Sequence, residues 1–345
     1  MASTGNSFNL GLGASYTLDF WGHFRALRDA ARAAALASRY DRATVELTVE
    51  TSVAVTYFEV LELSERLDVA RDNVKHAQDT LDGLKLQLQF GIITSLDVAQ
   101  QETTVATLEA AIPPLQQQYD QTFDALAILV GKTPESLAVN VGRLQDLTAP
   151  TVSAGLPAEL LARRPDVAEA EANLISANAN IRAARAAFLP SVSLTADGGF
   201  ASAALSGLVS PANRVFDIGA SLSQPIFEGG ALVGQYRLTK ARYAELLLDY
   251  HKAVISAFSN VDDSLSALRQ SSFELERQQI ATDKAQKAYD LSQEQLHAGT
   301  VNILTVLNTE NALFTAEDAL VQVRLAHLQS LVNLFMALGG GWERA

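Results

Sequence analysis

The chain has 345 residues, 48% of them hydrophobic, only 19% charged and 7% aromatic, with a net charge of -13 and no cysteine. Such an acidic balance argues against nucleic acid as a partner, because a polyanion needs a cationic surface to release its counterions. Without cysteine there is neither a disulfide framework nor a thiolate metal site.

The first element in the chain is a strand. Phe8, Leu10, Leu12, Ala14, Tyr16 and Leu18 alternate with Asn9, Gly11, Gly13, Ser15 and Thr17, the period of two expected of an extended segment. From about Arg25 to Gln89 no proline and only one glycine, Gly83, interrupt a helical pattern. Within it Val60, Leu63, Leu67, Ala70, Val74, Ala77, Leu81, Leu84 and Leu88 fall three and four apart, a coiled-coil seam. At 1.5 Å per residue this helix is roughly 100 Å long. A break at Gly91 in "FGIITSLDVAQQE" is followed by a returning pattern of Val105, Leu108, Ile112, Leu115, Tyr119, Leu126 and Leu129. Gly131 and Pro134 mark its stop. Pro113 and Pro114 predict a kink or short break inside this second helix.

Between residues 156 and 190, Pro165 opens a further helix with Asp166 and Glu169 in its first turn, and Pro190 bounds it. Two more alternating segments follow. Val192, Leu194 and Ala196 face one way in the first, as do Phe216, Ile218, Ala220 and Leu222 in the second. Their length and alternation fit transmembrane barrel strands, although a half-buried strand of a soluble sheet reads the same way. A long helix then runs from about Ala231 to Leu296, breaks at Gly299, and returns through Leu307, Phe314, Val321, Leu325, Leu328 and Phe335. No run in the chain reaches the roughly 18 apolar residues of a membrane-spanning helix.

Shifting the chain by 208 residues superimposes Gly91 on Gly299, Leu96 on Leu304, Val98 on Val306, Glu102 on Glu310, Leu126 on Leu334 and Gly131 on Gly339. The chain is therefore two copies of one unit, strand plus very long helical hairpin. The second copy has a helix and a strand before Gly219 that the first copy lacks. A missing amino-terminal segment is the expectation, and the unpromising start "MASTGNSFNLGLG" then says nothing about targeting.

The stretches "LPAELLARRPDVAEAEANLISANANIRAARAAFLPSVSLTA" (156–196), "SQPIFEGG" (223–230), "AGTVNILTVLNTENALFTAE" (298–317) and "VNLFMALGGGW" (332–342) resemble the TolC-like outer-membrane channels of tripartite efflux pumps. The likeness is greatest to the OprM/NodT lipoprotein branch and spans essentially the whole chain. It implies a mainly α fold with a membrane β-barrel portion, a trimeric α-barrel/β-barrel channel in which each protomer supplies four strands. It also implies a periplasmic adaptor (membrane fusion) protein and an inner-membrane RND-type transporter as partners, outer-membrane lipid around the barrel, and a lipid anchor upstream. No cofactor, metal or catalysis is expected. The resulting organisation is a barrel strand at 1–21, a hairpin at 22–131 with its tip near 91, an equatorial connection at 132–157 and a helix at 158–188. A barrel hairpin at 189–226, a second hairpin at 227–338 with its tip near 299, and a tail at 339–345 complete it.

Candidate functional residues follow from the same reading. The tips, with Gly91, Leu96, Asp97 and Gly299, are implied by the resemblance to form the periplasmic aperture. The family's apolar and acidic gate rings fall on Leu304 and Asn308, where an amide replaces the expected carboxylate. The lipid-facing set is Phe8, Leu10, Leu12, Tyr16, Val192, Leu194, Phe216, Ile218 and Leu222. His23, His76, His251, His297 and His327 show no metal-ligand spacing, and "RRPD" reads as a turn and cap. A soluble coiled-coil interaction protein is the alternative to an export duct.

Overall fold

The computed structural model describes residues 5–139, 142–147 and 163–342. Residues 1–4, 140–141, 148–162 and 343–345, which take in parts of the expected 132–157 connection and the start of the 156–190 stretch, lie outside the described residues. In order, the elements are β1 (Phe8–Leu18), α1 (His23–Gln89), α2 (Ser95–Leu129), α3 (Pro165–Ala186), β2 (Ser191–Ser202), β3 (Arg214–Ser223), α4 (Ala231–His297) and α5 (Ile303–Ala337). The chain divides into two compact units, Met1–Asp41 with Asp166–Val254, and Arg42–Pro165 with Ile255–Ala345.

The duplication appears directly in the helices. α1 and α4 each span 67 residues, and α2 and α5 each span 35. All four end in the same way. Gly91, Gly131, Gly299 and Gly339 take φ of 71°, 69°, 71° and 94°, a left-handed conformation that costs glycine nothing. At each end the glycine N–H returns to a carbonyl three residues back and the next N–H to one five back, as in Gly91 to Leu88 and Ile92 to Gln87. This double closure satisfies carbonyls that a helix end otherwise leaves open.

The returning helices start with inverted chemistry. Before α2 the carboxylate of Asp97 accepts from the Thr94 backbone N–H at 2.8 Å and from its hydroxyl at 2.7 Å. Before α5 the side-chain oxygen of Asn302 accepts from the Thr305 N–H at 3.2 Å and from its hydroxyl at 3.1 Å. Polar side chains at these positions satisfy donors that the first helical turn cannot. The hydroxyl of Thr94 is the first cause holding the Asp97 carboxyl below its ordinary value.

α2 runs without a break through Pro113 and Pro114, which corrects the short break that the two prolines offered as the alternative to a kink. Both prolines are exposed, so water can reach the carbonyls whose intrahelical donors they remove. "RRPD" is also more than a cap. Arg164 is buried and its Nη1 donates at 3.1 Å to the carbonyl of Ala337, the last residue of α5, a cation at a helix C-terminus.

β1, β2 and β3 form one antiparallel sheet in sequence order. Gly11 faces Gly199 across β1 and β2, and a Cβ on Gly199 would strike the Leu10 carbonyl and the Gly11 Cα. Gly198 has open space instead. Gly199→Val is therefore expected to lower stability by about 1–3 kcal/mol through backbone displacement, while Gly198→Ala leaves it nearly unchanged. Thermal unfolding of the two variants in detergent checks the contrast.

Candidate functional site

The sheet has two chemically distinct faces. Its register opposes Leu10 to Phe200, Tyr16 to Leu194, Val192 to Leu222 and Ala196 to Ile218, so the large apolar residues of all three strands, Val215 excepted, share one side. Leu12, Phe216 and Ile218 are 87%, 86% and 79% exposed. Leu10, Tyr16, Leu194 and Leu222 are exposed as well, and Phe8 and Val192 are half-buried. The other side carries Ser15, Thr17, Ser193, Thr195 and Ser221, with the Thr17 and Ser193 hydroxyls 3.3 Å apart. Asp197 and Asp217 oppose one another on this polar side. Like charges so placed repel, and a face open to water is where they are tolerated. Near one end of the sheet, Phe20, Trp21, Ile226 and Phe227 are all exposed, and the Trp21 indole N–H donates to the Pro190 carbonyl at 2.8 Å.

The tip region is a single apolar core built by all four long helices. Ala77, Leu81 and Leu84 of α1 and Val98 and Val105 of α2 meet Tyr289 of α4 and Ile303, Val306, Leu307, Leu313 and Phe314 of α5. Leu304 stays 45% exposed and Asn308 is exposed. Four residues apart, they share a helix face turned away from that core. Leu96, the counterpart of Leu304 in the first copy, is 65% exposed. Gly91 and Gly299 make the turns, and Asp97 is engaged in the cap of α2.

Ion pairs bind α1 to α5. Arg66 donates to Asp318 at 2.6 Å and to Glu62 at 3.2 Å, and Arg324 donates to Glu65 at 3.2 Å. Burial pushes the Glu62 carboxyl up, opposed by Arg66. None of these residues was singled out from the sequence. The i,i+4 spacing of Glu62 and Arg66 was a visible signal, but Asp318 becomes their partner only through packing of the two hairpins. Among the histidines, His23 Nδ1 lies 3.0 Å from the Ala183 carbonyl and His327 Nδ1 lies 3.3 Å from the Ser271 hydroxyl. Among the described residues no group of His, Asp and Glu could hold a metal ion.

Comparison with known proteins agrees with this architecture. The family model for outer membrane efflux proteins matches residues 2–132 and 156–340. The pyoverdine export outer membrane protein OpmQ of Pseudomonas aeruginosa is 41% identical over 98% of this chain and 71% of its own length. The cation efflux system protein CusC of Escherichia coli is 32% identical over 99% of this chain and 75% of its own length. Among solved structures, the outer membrane protein VceC of Vibrio cholerae superposes with a TM-score of 0.90 at 26% identity, covering 98% of this chain and 80% of that one. The open-state MtrE channel of Neisseria gonorrhoeae gives 0.90 at 29%, covering 98% and 76%. The soluble coiled-coil reading is thereby set aside. The chain belongs to the outer membrane efflux protein family, and it is a TolC-like outer-membrane channel component of an efflux pump, with its helical part in the periplasm.

Proposed function

We propose that the protein is the passive exit duct of a tripartite pump, a homotrimer that receives small solutes from an inner-membrane RND-type transporter through a periplasmic adaptor and conducts them outward without chemistry. The observation that carries this reading is the three-stranded sheet with one exposed apolar face and two edges that are unpaired among the described residues. Such a sheet needs other chains to complete it and lipid to cover it. Relatives are named for exporting pyoverdine, cations and toluene. That range fits a wall of small hydroxyls and glycines that recognises no single solute and leaves selection to the transporter. The nine apolar strand residues from Phe8 to Leu222 are the lipid contact, and the aromatic cluster around Trp21 sits at the level of the headgroups.

The tip of the second hairpin is the constriction in this reading. Leu304 supplies an apolar ring narrow enough to shed water, and Asn308 a neutral ring one turn away, where the family pattern has a carboxylate. Gly91, Leu96 and Asp97 at the first tip and Gly299 at the second shape the aperture and meet the adaptor.

Sedimentation in detergent is expected to give a trimer, and a stable detergent-free monomer would overturn the assembly. In planar bilayers Leu304→Ala is expected to raise resting conductance. Asn308→Asp is expected to increase cation preference, more at low salt because fixed charges are screened within about 10 Å at 0.1 M. If both variants conduct like the parent, the gate lies elsewhere.

A further inference from the structure

The helix ends that adjoin the sheet are cationic in an acidic chain. Residues 23–32, 182–186 and 231–242 hold eight Lys and Arg side chains and one carboxylate, Asp29, whereas the whole protein has a net charge of -13. Four of the eight have acidic partners: Arg25 with Asp19, Arg28 and Arg182 with Asp29, and Arg242 with Glu245. Arg185 and Lys240 have none among the described residues, yet both approach the same tyrosine. Arg185 Cζ and Lys240 Nζ each lie 5.8 Å from the centroid of the Tyr236 ring, and Arg185 Nε donates to its hydroxyl at 3.2 Å. The face of the ring attracts a cation, but two like charges gathered on one ring repel each other. The Arg185 hydrogen bond is the first cause holding the Tyr236 hydroxyl below its ordinary value, and the charges of both cations add to it. Because that oxygen accepts from Arg185, its own hydrogen is left to donate.

The cluster lies under the apolar side of the sheet. Phe188, whose ring meets Tyr236 edge-on at 6.1 Å, belongs to the short link between α3 and β2. Gln224 donates to the Phe188 carbonyl at 3.3 Å, and Trp21 donates to the Pro190 carbonyl in the same link. Gln224 follows Leu222 by two residues and so continues the apolar register of β3. Trp21 is one of the exposed aromatic residues beside it. Tyr236 is five residues past Ala231, the first residue of α4, or about 8 Å at 1.5 Å per residue. Long cationic side chains at that depth can extend their heads to the membrane surface.

We propose that Arg185, Lys240 and Tyr236 form a binding site for the phosphodiester of an anionic phospholipid in the leaflet nearer the periplasm. A phosphate between the two cations relieves their repulsion, and its oxygens accept from the guanidinium, the ammonium and the tyrosine hydroxyl. A zwitterionic headgroup would bring its own cation to a site that already holds two, so a lipid of net negative charge is preferred. The site rests on the duct reading only for the placement of the sheet in lipid.

The full chain, purified in neutral detergent and offered phosphatidylglycerol and phosphatidylcholine together, is expected to retain phosphatidylglycerol preferentially in native mass spectra. At about fivefold per cation, Arg185→Gln combined with Lys240→Gln is expected to lower that preference by roughly an order of magnitude. Arg28→Gln, which removes an ion-paired cation of the same collar, leaves it unchanged. Equal retention of the two lipids by the wild type, or an unchanged preference in the double variant, would overturn the site. Displacement of phosphatidylglycerol by excess inorganic phosphate would also overturn it, by marking a site for soluble anions. Should the double variant fail to fold, Tyr236→Phe decides the matter: it removes only the hydroxyl and is expected to weaken the preference, and an unchanged preference counts against the site. Flotation with phosphatidylcholine vesicles reads the placement of the sheet separately. Protein that floats without discriminating between the lipids refutes the site alone, whereas protein that never floats refutes the membrane placement on which the site rests.

Discussion

The outer edges of β1 and β3 are the constraint on which the remaining structure depends. A helix satisfies its backbone within itself, whereas these strands have a row of N–H and C=O groups with no strand partner among the described residues. In hydrocarbon each such group costs several kcal/mol, so a spanning sheet must close on itself or on neighbours. The exposed apolar face adds a second demand, since Leu12, Phe216 and Ile218 have no protein cover. Lipid on one side and a water-filled interior on the other meet both demands together. The helices carry matching evidence, because Ile128 and Ile255 stand 75% and 69% exposed on surfaces that neighbouring chains can bury.

Much of the architecture was legible in the sequence because it rests on local rules. The period of two located all three strands, and the 208-residue shift anticipated helices of equal length in the two copies. Glycine at each helix end was readable for a stereochemical reason, as only glycine enters the left-handed region freely. Local rules also misled. Pro113 and Pro114 look like a break, yet both are exposed and the helix continues through them.

What stayed hidden is decided between hairpins. Glu102 and Glu310 occupy equivalent places and read identically, yet one is exposed beside Lys85 and the other is sealed beneath Gln101 and Tyr289. Nothing local distinguishes them, because the difference lies in what the partner helix presents. Arg164 and Asp318 were illegible for the same reason: each finds its contact across more than 170 positions of chain. Leu304 and Asn308 came from resemblance, and the structure adds that both lie on the exposed side of α5.

The inverted caps at the two tips carry a consequence of their own. The first hairpin anchors its return with the carboxylate of Asp97, held below its ordinary value by Thr94, whereas the second uses the uncharged amide of Asn302. Protonation therefore weakens the first cap and not the second, as pH falls through the lowered value. In a trimer six tips that alternate around the mouth would be chemically of two kinds. In the proposed ring of tips, acid would thus loosen the caps of the first hairpins alone, leaving a threefold rather than a sixfold pattern of cap chemistry.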